Sequence, residues 1–325
     1  METEAPPPAA RPVTEAQRRL AEKLRRELGP EIIALLEDPT VIEIMLNPDG
    51  ELWVERLGKD MERFGSMTAA AAESAMNTIA SSLRTEITRE KPILECELPI
   101  DGSRFEGIIP PIVSGPTFTI RKKAGKVFTL DDYVSSGIMT MQQRIAIGRA
   151  VEKRQNILVV GGTGTGKTTL TNAIIGAIVD ASPEHRLVII EDTGELQCSA
   201  RNAVTMRAVE HVSMLSLLKV AMRLRPDRIV VGEVRDGSAL ALLKAWNTGH
   251  PGGAATVHAN SAIAGLIRME QLVGEATQAP MQVLIAEAVD LIVSIEKTAQ
   301  GRRVNEVVAV HRYDGHNYIT QSYEE

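Results

Sequence analysis

The chain has 325 residues, long enough for two domains of ordinary size, and its 44% hydrophobic and 24% charged residues are those of a globular protein. A net charge of −6 argues against a nucleic-acid backbone as the main partner, so direct nucleic-acid binding is not expected. Two cysteines, Cys96 and Cys198, stand far apart and in no C-x-x-C pair, which excludes a zinc site built from cysteine pairs. No run of 18 apolar residues offers a spanning helix, and a cytoplasmic protein is expected.

The start "METEAPPPAARP" is acidic and proline-rich, unlike a signal peptide, and residues 1–13 read as a disordered tail. "TEAQRRLAEKLRRELG" predicts a helix with Thr14 as N-cap and Gly29 as C-cap. Its Arg18, Arg19, Lys23, Arg25 and Arg26 could meet an anionic membrane surface. A solvated face is preferred, because Glu15, Glu22 and Glu27 interleave with them. "VIEIMLNPDGELWVERL" reads as a hairpin about Asn47–Gly50, followed by an alanine-rich helix over 68–83. Strands then follow in "ILECELPI", "RFEGIIPP" and "FTIRKK", giving an N-terminal α+β domain over 14–123. Residues 124–140 read as a linker into the helix "MQQRIAIGRAVEKRQ".

From there short apolar strands alternate with helices: "NILVV", a helix from Lys167, "RLVIIED", a helix over 214–222, "RIVVGEV", a helix over 238–247, and "GAATVHA". That alternation implies parallel strands with crossover helices on both faces of the sheet. "LIVSIEKT" and "NEVVAVHRYDGHNYITQ" close the chain as antiparallel strands turning at Asp314–Gly315. The expected class is α/β, an N-terminal α+β domain followed by a second domain over 141–325 whose sheet is mostly parallel.

"GGTGTGKTTL" follows the strand "NILVV" and opens a helix, and Gly161, Gly166, Lys167 and Thr168 fit G-x-x-x-x-G-K-[ST]. Glycines let backbone N–H groups curl around a phosphate, the helix N-terminus adds its dipole, and lysine adds a charge near the β- and γ-phosphates. The candidate ATP-binding residues are therefore Gly161, Gly162, Thr163, Gly164, Thr165, Gly166, Lys167, Thr168 and Thr169, with the Thr168 hydroxyl a ligand for Mg²⁺. "RLVIIEDTGEL" clusters Glu191, Asp192 and Glu195 where a parallel strand emerges, and "RPDRIVVGEVR" closes on Glu233. A carboxylate there holds Mg²⁺ through water or orients the attacking water. In "NTGHPGGAATVHAN" His258 closes a strand and His250 sits on the turn before it. The pair reads either as structural or as a sensor of the γ-phosphate.

These pieces in this order resemble the secretion-superfamily traffic ATPases. Four segments carry the resemblance: "GGTGTGKTT", "EDTGEL", "RPDRIVVGEVR" and "TGHPGGAATVHAN". "EIMLNPDGELWVER", "GSRFEGIIPPI" and "TFTIRKK" are similar to the N-domain of the conjugation and type IV secretion branch. The resemblance implies a RecA-like ATPase domain and a homohexameric ring. Such a ring hydrolyses Mg-ATP as a motor for pilus biogenesis and substrate transport at the cytoplasmic face of the inner membrane. Its partners would be inner-membrane components and a partner ATPase of the channel. It also assigns roles: Lys167 and Thr168 to phosphates and Mg²⁺, Glu195 and Glu233 to Mg²⁺ and the attacking water, His258 to the γ-phosphate. Arg104 and Arg121 of the N-domain would reach over the nucleotide. A type IV pilus retraction or assembly ATPase is the alternative, with a small-molecule kinase or a nucleotide-dependent scaffold more remote. The four-cysteine zinc module common in type II secretion and pilus extension cannot be built here.

Overall fold

In the computed structural model, residues 14–123, 127–209 and 211–323 are described; the tail expected at 1–13 and residues 124–126 of the expected linker lie outside them. The chain divides into two compact units, residues 1–125 and 126–325.

The first unit opens on α1 (Glu15–Glu37), longer than the sequence suggested. Gly29 does end the first helical stretch, with φ of 81°, a conformation a Cβ disfavours. Helix then resumes at Pro30, whose fixed φ and missing N–H suit a first helical turn. Both stretches feed the core through Leu24, Leu28, Ile32 and Leu35. The basic face is partly paired: Arg19 with Glu15, Lys23 with Glu27 and Arg25 with Glu37.

Next come β1 (Val41–Leu46), β2 (Glu51–Arg56), β3 (Glu62–Ser66), α2 (Ala69–Ser82), β4 (Ile93–Glu97), β5 (Arg104–Ile108) and β6 (Thr117–Arg121). The strands form one sheet in the order β3-β2-β1-β6-β5-β4, every neighbour antiparallel. Period-2 alternation sends Ile44, Leu46, Val54, Phe105, Phe118 and Ile120 into one core with the apolar faces of α1 and α2. Glu43, Arg104, Glu106, Thr119 and Arg121 alternate onto the other face, where they line a shallow recess.

The second unit begins with α3 (Leu130–Ser135), a capped helix inside the stretch expected to be linker, and α4 (Met141–Glu152). It continues β7 (Ile157–Gly161), α5 (Lys167–Ala181), β8 (Leu187–Glu191), β9 (Ala203–Arg207), α6 (Met214–Ala221), β10 (Arg228–Val231), α7 (Ser238–Asn247) and β11 (Ala254–His258). The last elements are α8 (Ala262–Gly274), α9 (Gln282–Ala288), β12 (Leu291–Thr298), β13 (Gly301–Tyr313) and β14 (Tyr318–Ser322). One eight-stranded sheet runs β14-β13-β12-β7-β11-β10-β8-β9. The six strands from β12 to β9 are parallel neighbours, and β13 and β14 are antiparallel additions at one edge. The class is α/β with a mostly parallel sheet, as expected.

The central strands β7, β8 and β10 are buried along their whole length, which is why they read as continuous apolar runs. Leu158, Val160, Val188, Ile190, Ile229 and Val231 turn to one face, against α6 to α9. Ile157, Val159, Ile189 and Val230 turn to the other, against α3, α4 and α5. All parallel strands therefore end on one edge, and that edge is where ligands of open α/β sheets sit.

Candidate nucleotide site

Gly161, the last residue of β7, pairs in register with His258, the last of β11, so the loop and the histidine leave the sheet side by side. The chain around the loop leaves no room for a side chain at its first glycine. A Cβ on Gly161 would collide with Ile295 O of β12 and lie 2.6 Å from Thr165 Oγ1. Gly164 and Gly166 take φ of 70° and 97°, and Gly166 is the N-cap from which α5 starts. Thr168 and Thr169 follow in its first turn, half-buried, while Thr163 and Gly164 at the tip are exposed. Thr165 closes the loop through Oγ1 to Gly162 O at 3.0 Å.

Lys167 folds back into this loop and is 7% exposed. Its Nζ donates to Gly161 O and Gly162 O, both at 2.8 Å, and lies 3.3 Å from His258 Nδ1. Burial lowers the lysine's pKa, the charge of Arg235 adding to it and that of Glu233 opposing it. On the far side of the ring, His258 Nε2 is 3.2 Å from Glu233 Oε1. A lysine ammonium has no acceptor to offer, so Nδ1 accepts and Nε2 carries the proton toward Glu233. Burial and the charge of Lys167 push the His258 pKa below its ordinary value, which keeps the ring neutral near pH 7.

Glu233 stands two residues past the end of β10, where the chain has left the ladder. Arg235 holds it from beside: Nε is 2.9 Å from Oε1 and Nη2 is 3.0 Å from Oε2. The same guanidinium reaches Asp192 Oδ2 at 2.7 Å. Burial would raise the Glu233 carboxyl, but the Arg235 hydrogen bond and charge, with His258 and Lys167, hold it below the usual range. It is ionised at neutral pH.

The acidic box is shaped by a different carboxylate. Glu191, 2% exposed, accepts from the backbone N–H groups of Glu195 and Leu196 at 2.7 and 3.0 Å. Asn172 of α5 clamps the same turn, donating to Glu195 O and accepting from Gln197 N. The turn is thus tied to the helix that carries the phosphate loop. Burial raises the Glu191 pKa against those two hydrogen bonds, both of which fall on Oε2, so this carboxylate anchors the backbone of the turn.

Lys167, Glu233 and His258 are brought together, and Glu195 lies half-buried on the anchored turn beside them. His250 is not part of this group. Its Nδ1 is 2.9 Å from Pro226 O, before the start of β10, at the opposite edge of the sheet. Four residues of β11, 254–257, lie between the two histidines, and at about 3.3 Å per residue the strand keeps them apart. The reading of a histidine pair therefore fails. Arg104 and Arg121 belong to the first unit, directly opposed on β5 and β6, with Arg121 Nε 3.4 Å from Glu43 Oε1. Sequence reasoning missed Arg235, although its position two residues after Glu233 was the available signal.

The sequence model of the Type II/IV secretion system protein family matches residues 26–315. The chain is 56% identical over 305 residues to the conjugal transfer protein TrbB of Rhizobium radiobacter, covering 94% of each chain. It is 29% identical to the type IV secretion system protein VirB11 of Bartonella quintana, over 85% of this chain and 90% of the other. The crystal structure of the Legionella pneumophila ATPase DotB shares the fold, with a TM-score of 0.62 at 17% identity over 90% of this chain and 81% of that one. The chain therefore belongs to the type II/IV secretion system protein family, the traffic ATPases that its sequence resembles, on the side of conjugal transfer and type IV secretion.

Proposed function

We propose that the chain is a Mg²⁺-dependent ATPase motor. Six copies would form a ring that powers pilus biogenesis and substrate transport in conjugation or type IV secretion. The observation that carries the reading is the chain of contacts Lys167–His258–Glu233 at the mouth of a glycine loop. The loop's N–H groups and Lys167 would hold the β- and γ-phosphates, with Lys167 exchanging its carbonyl partners for phosphate oxygens. Glu233 Oε1 already has two partners, Arg235 and His258, whereas Oε2 has one, so Oε2 is the atom with capacity left to orient water and take its proton. Because His258 touches both Lys167 and Glu233, a change at the terminal phosphate reaches the carboxylate through one ring.

Thr168 and Glu233 are oxygen donors of the kind Mg²⁺ prefers, and they would hold it, Glu233 through water. The ion would neutralise charge on the phosphate oxygens. Arg104 and Arg121 would add positive charge from the first unit, of the same chain or a neighbour, and so couple hydrolysis to closure. Arg121→Ala is accordingly expected to lower hydrolysis more than ATP affinity; a variant with full activity would remove that arginine from the reaction.

The names of the relatives in R. radiobacter and B. quintana support placing the ring at a conjugation or type IV secretion channel. Inner-membrane components and a partner ATPase would then be its neighbours at the cytoplasmic face. No helix among the described residues is long and apolar enough to cross a membrane, and the attachment proposed is peripheral. The mass of Glu233→Gln in Mg-ATP, measured by light scattering, tests the ring. About six times the 35.3 kDa chain is expected. A monomer or dimer with ATP bound would overturn it.

A further inference from the structure

Arg302 stands near the start of β13, in the hairpin whose other strand, β12, lies parallel beside β7. That hairpin presses on the phosphate loop, and Ile295 O is what excludes a side chain at Gly161. Arg302 lies over the loop itself. A Cβ on Gly166 would be 3.1 Å from its Cδ and 3.2 Å from its Nε. Its Nη2 is 3.4 Å from Gly164 O.

A guanidinium has five N–H donors, and among the described residues this one makes a single long hydrogen bond. Among the described residues it has no carboxylate within ion-pair distance. Glu233 and Asp192 of the site are engaged by Arg235. Directly across the ladder from Arg302 is Lys297, a like charge where an opposite one would stabilise the pair. The next pair along, Arg303 and Glu296, has that opposite arrangement. The position thus keeps a positive charge against local electrostatics, next to Lys167 and the positive end of α5. What satisfies three such positive elements at one loop is an anion.

We propose that Arg302 is a nucleotide-binding residue, a cation that β13 supplies to the phosphate chain of a nucleoside diphosphate or triphosphate on the 161–169 loop. It rests on the reading of that loop as an ATP site and adds a binding group from within the second unit, independent of Arg104 and Arg121. The competing role is mechanical: Arg302 would only brace the loop through Gly164 O. Charge separates the two, because an uncharged donor can brace the loop but cannot neutralise a phosphate.

The test is equilibrium binding of a fluorescent ADP analogue to the full chain and to Arg302→Ala, Arg302→Gln and Arg302→Lys. The melting temperature of each without nucleotide is measured alongside. Arg302→Ala and Arg302→Gln are each expected to lose affinity on the order of tenfold or more, and Arg302→Lys to recover most of it. The salt dependence of binding should weaken with the lost charge. Affinity restored by Gln would assign Arg302 to bracing alone and overturn the proposal, as would an Arg302→Ala variant that binds like the wild type. If Arg302→Ala also melts lower, Gln and Lys variants with equal melting temperatures still decide, since a loss of affinity in Gln but not in Lys then follows the charge and not the folding. Lys167→Ala run in parallel tells the two readings apart: wild-type ADP affinity in that variant would mean that the loop is no nucleotide site.

Discussion

Glu233→Gln is expected to keep ATP bound while hydrolysis falls by about 10²- to 10⁴-fold, the range a lost general base produces. The amide has nearly the shape of the carboxylate, so with its oxygen at the Oε1 position it still accepts from Arg235 Nε and His258 Nε2, while Arg235 Nη2 loses the acceptor it had in Oε2. What disappears is the negative charge that Arg235, His258 and Lys167 together stabilise, and with it the acceptor for the water's proton. Arg235 would keep Asp192 as its anionic partner, so the variant should not leave a bare guanidinium in the site. Phosphate release at saturating ATP, set beside ATP affinity from fluorescence titration, measures the two effects separately. Hydrolysis at the wild-type rate would remove Glu233 from the chemistry. Loss of both binding and hydrolysis would mean instead that its role is to hold the loop.

How much of this was legible depended on whether a residue's task is local. The loop was readable because its job, bending tightly between a buried strand and a helix, is written in consecutive residues such as Gly164, Gly166 and Lys167. The central strands were readable because burial on both faces leaves an unbroken apolar run. β3 was missed for the converse reason: it is an edge strand, almost wholly exposed, with no alternation to see. β9 is likewise a half-exposed edge, and α8 and α9, though well buried on one side, fell between motifs that drew the attention. Helix α1 ran eight residues further than its glycine suggested, because Pro30 restarts what Gly29 stops.

Within the site the same division holds. Glu191, Asp192 and Glu195 look alike in the sequence, yet one is a buried anchor for the backbone of another and the third is held by an arginine 43 positions away. Only tertiary structure could sort them. His250 and His258 looked like a pair because they are eight residues apart, but a strand stands between them and sends them to opposite edges. Arg302 is 138 residues from the carbonyl it meets, a separation no motif spans.

Lys167→Ala is expected to abolish hydrolysis and to weaken nucleotide binding on the order of a hundredfold or more, a larger loss of binding than any other single substitution in the loop. The ammonium has three donors, and all three are engaged: Gly161 O, Gly162 O and His258 Nδ1. Removing it strips the phosphate of its nearest buried charge and leaves two loop carbonyls without their donor. The ring of His258 also loses the contact that fixes its tautomer, so Nε2 need no longer present a proton to Glu233. One substitution thus acts on binding through the loop and on chemistry through the histidine. Lys167→Met keeps most of the aliphatic stem that fills the space beside Gly161, and so separates loss of charge from collapse of the loop. Calorimetric binding of ADP, with melting temperature as the control for folding, reads the outcome. If both variants fold and neither binds, the charge is the binding element. If Met binds like the wild type and Ala does not, the lysine serves the loop by packing, and the phosphate must be held by the backbone N–H groups and Arg302.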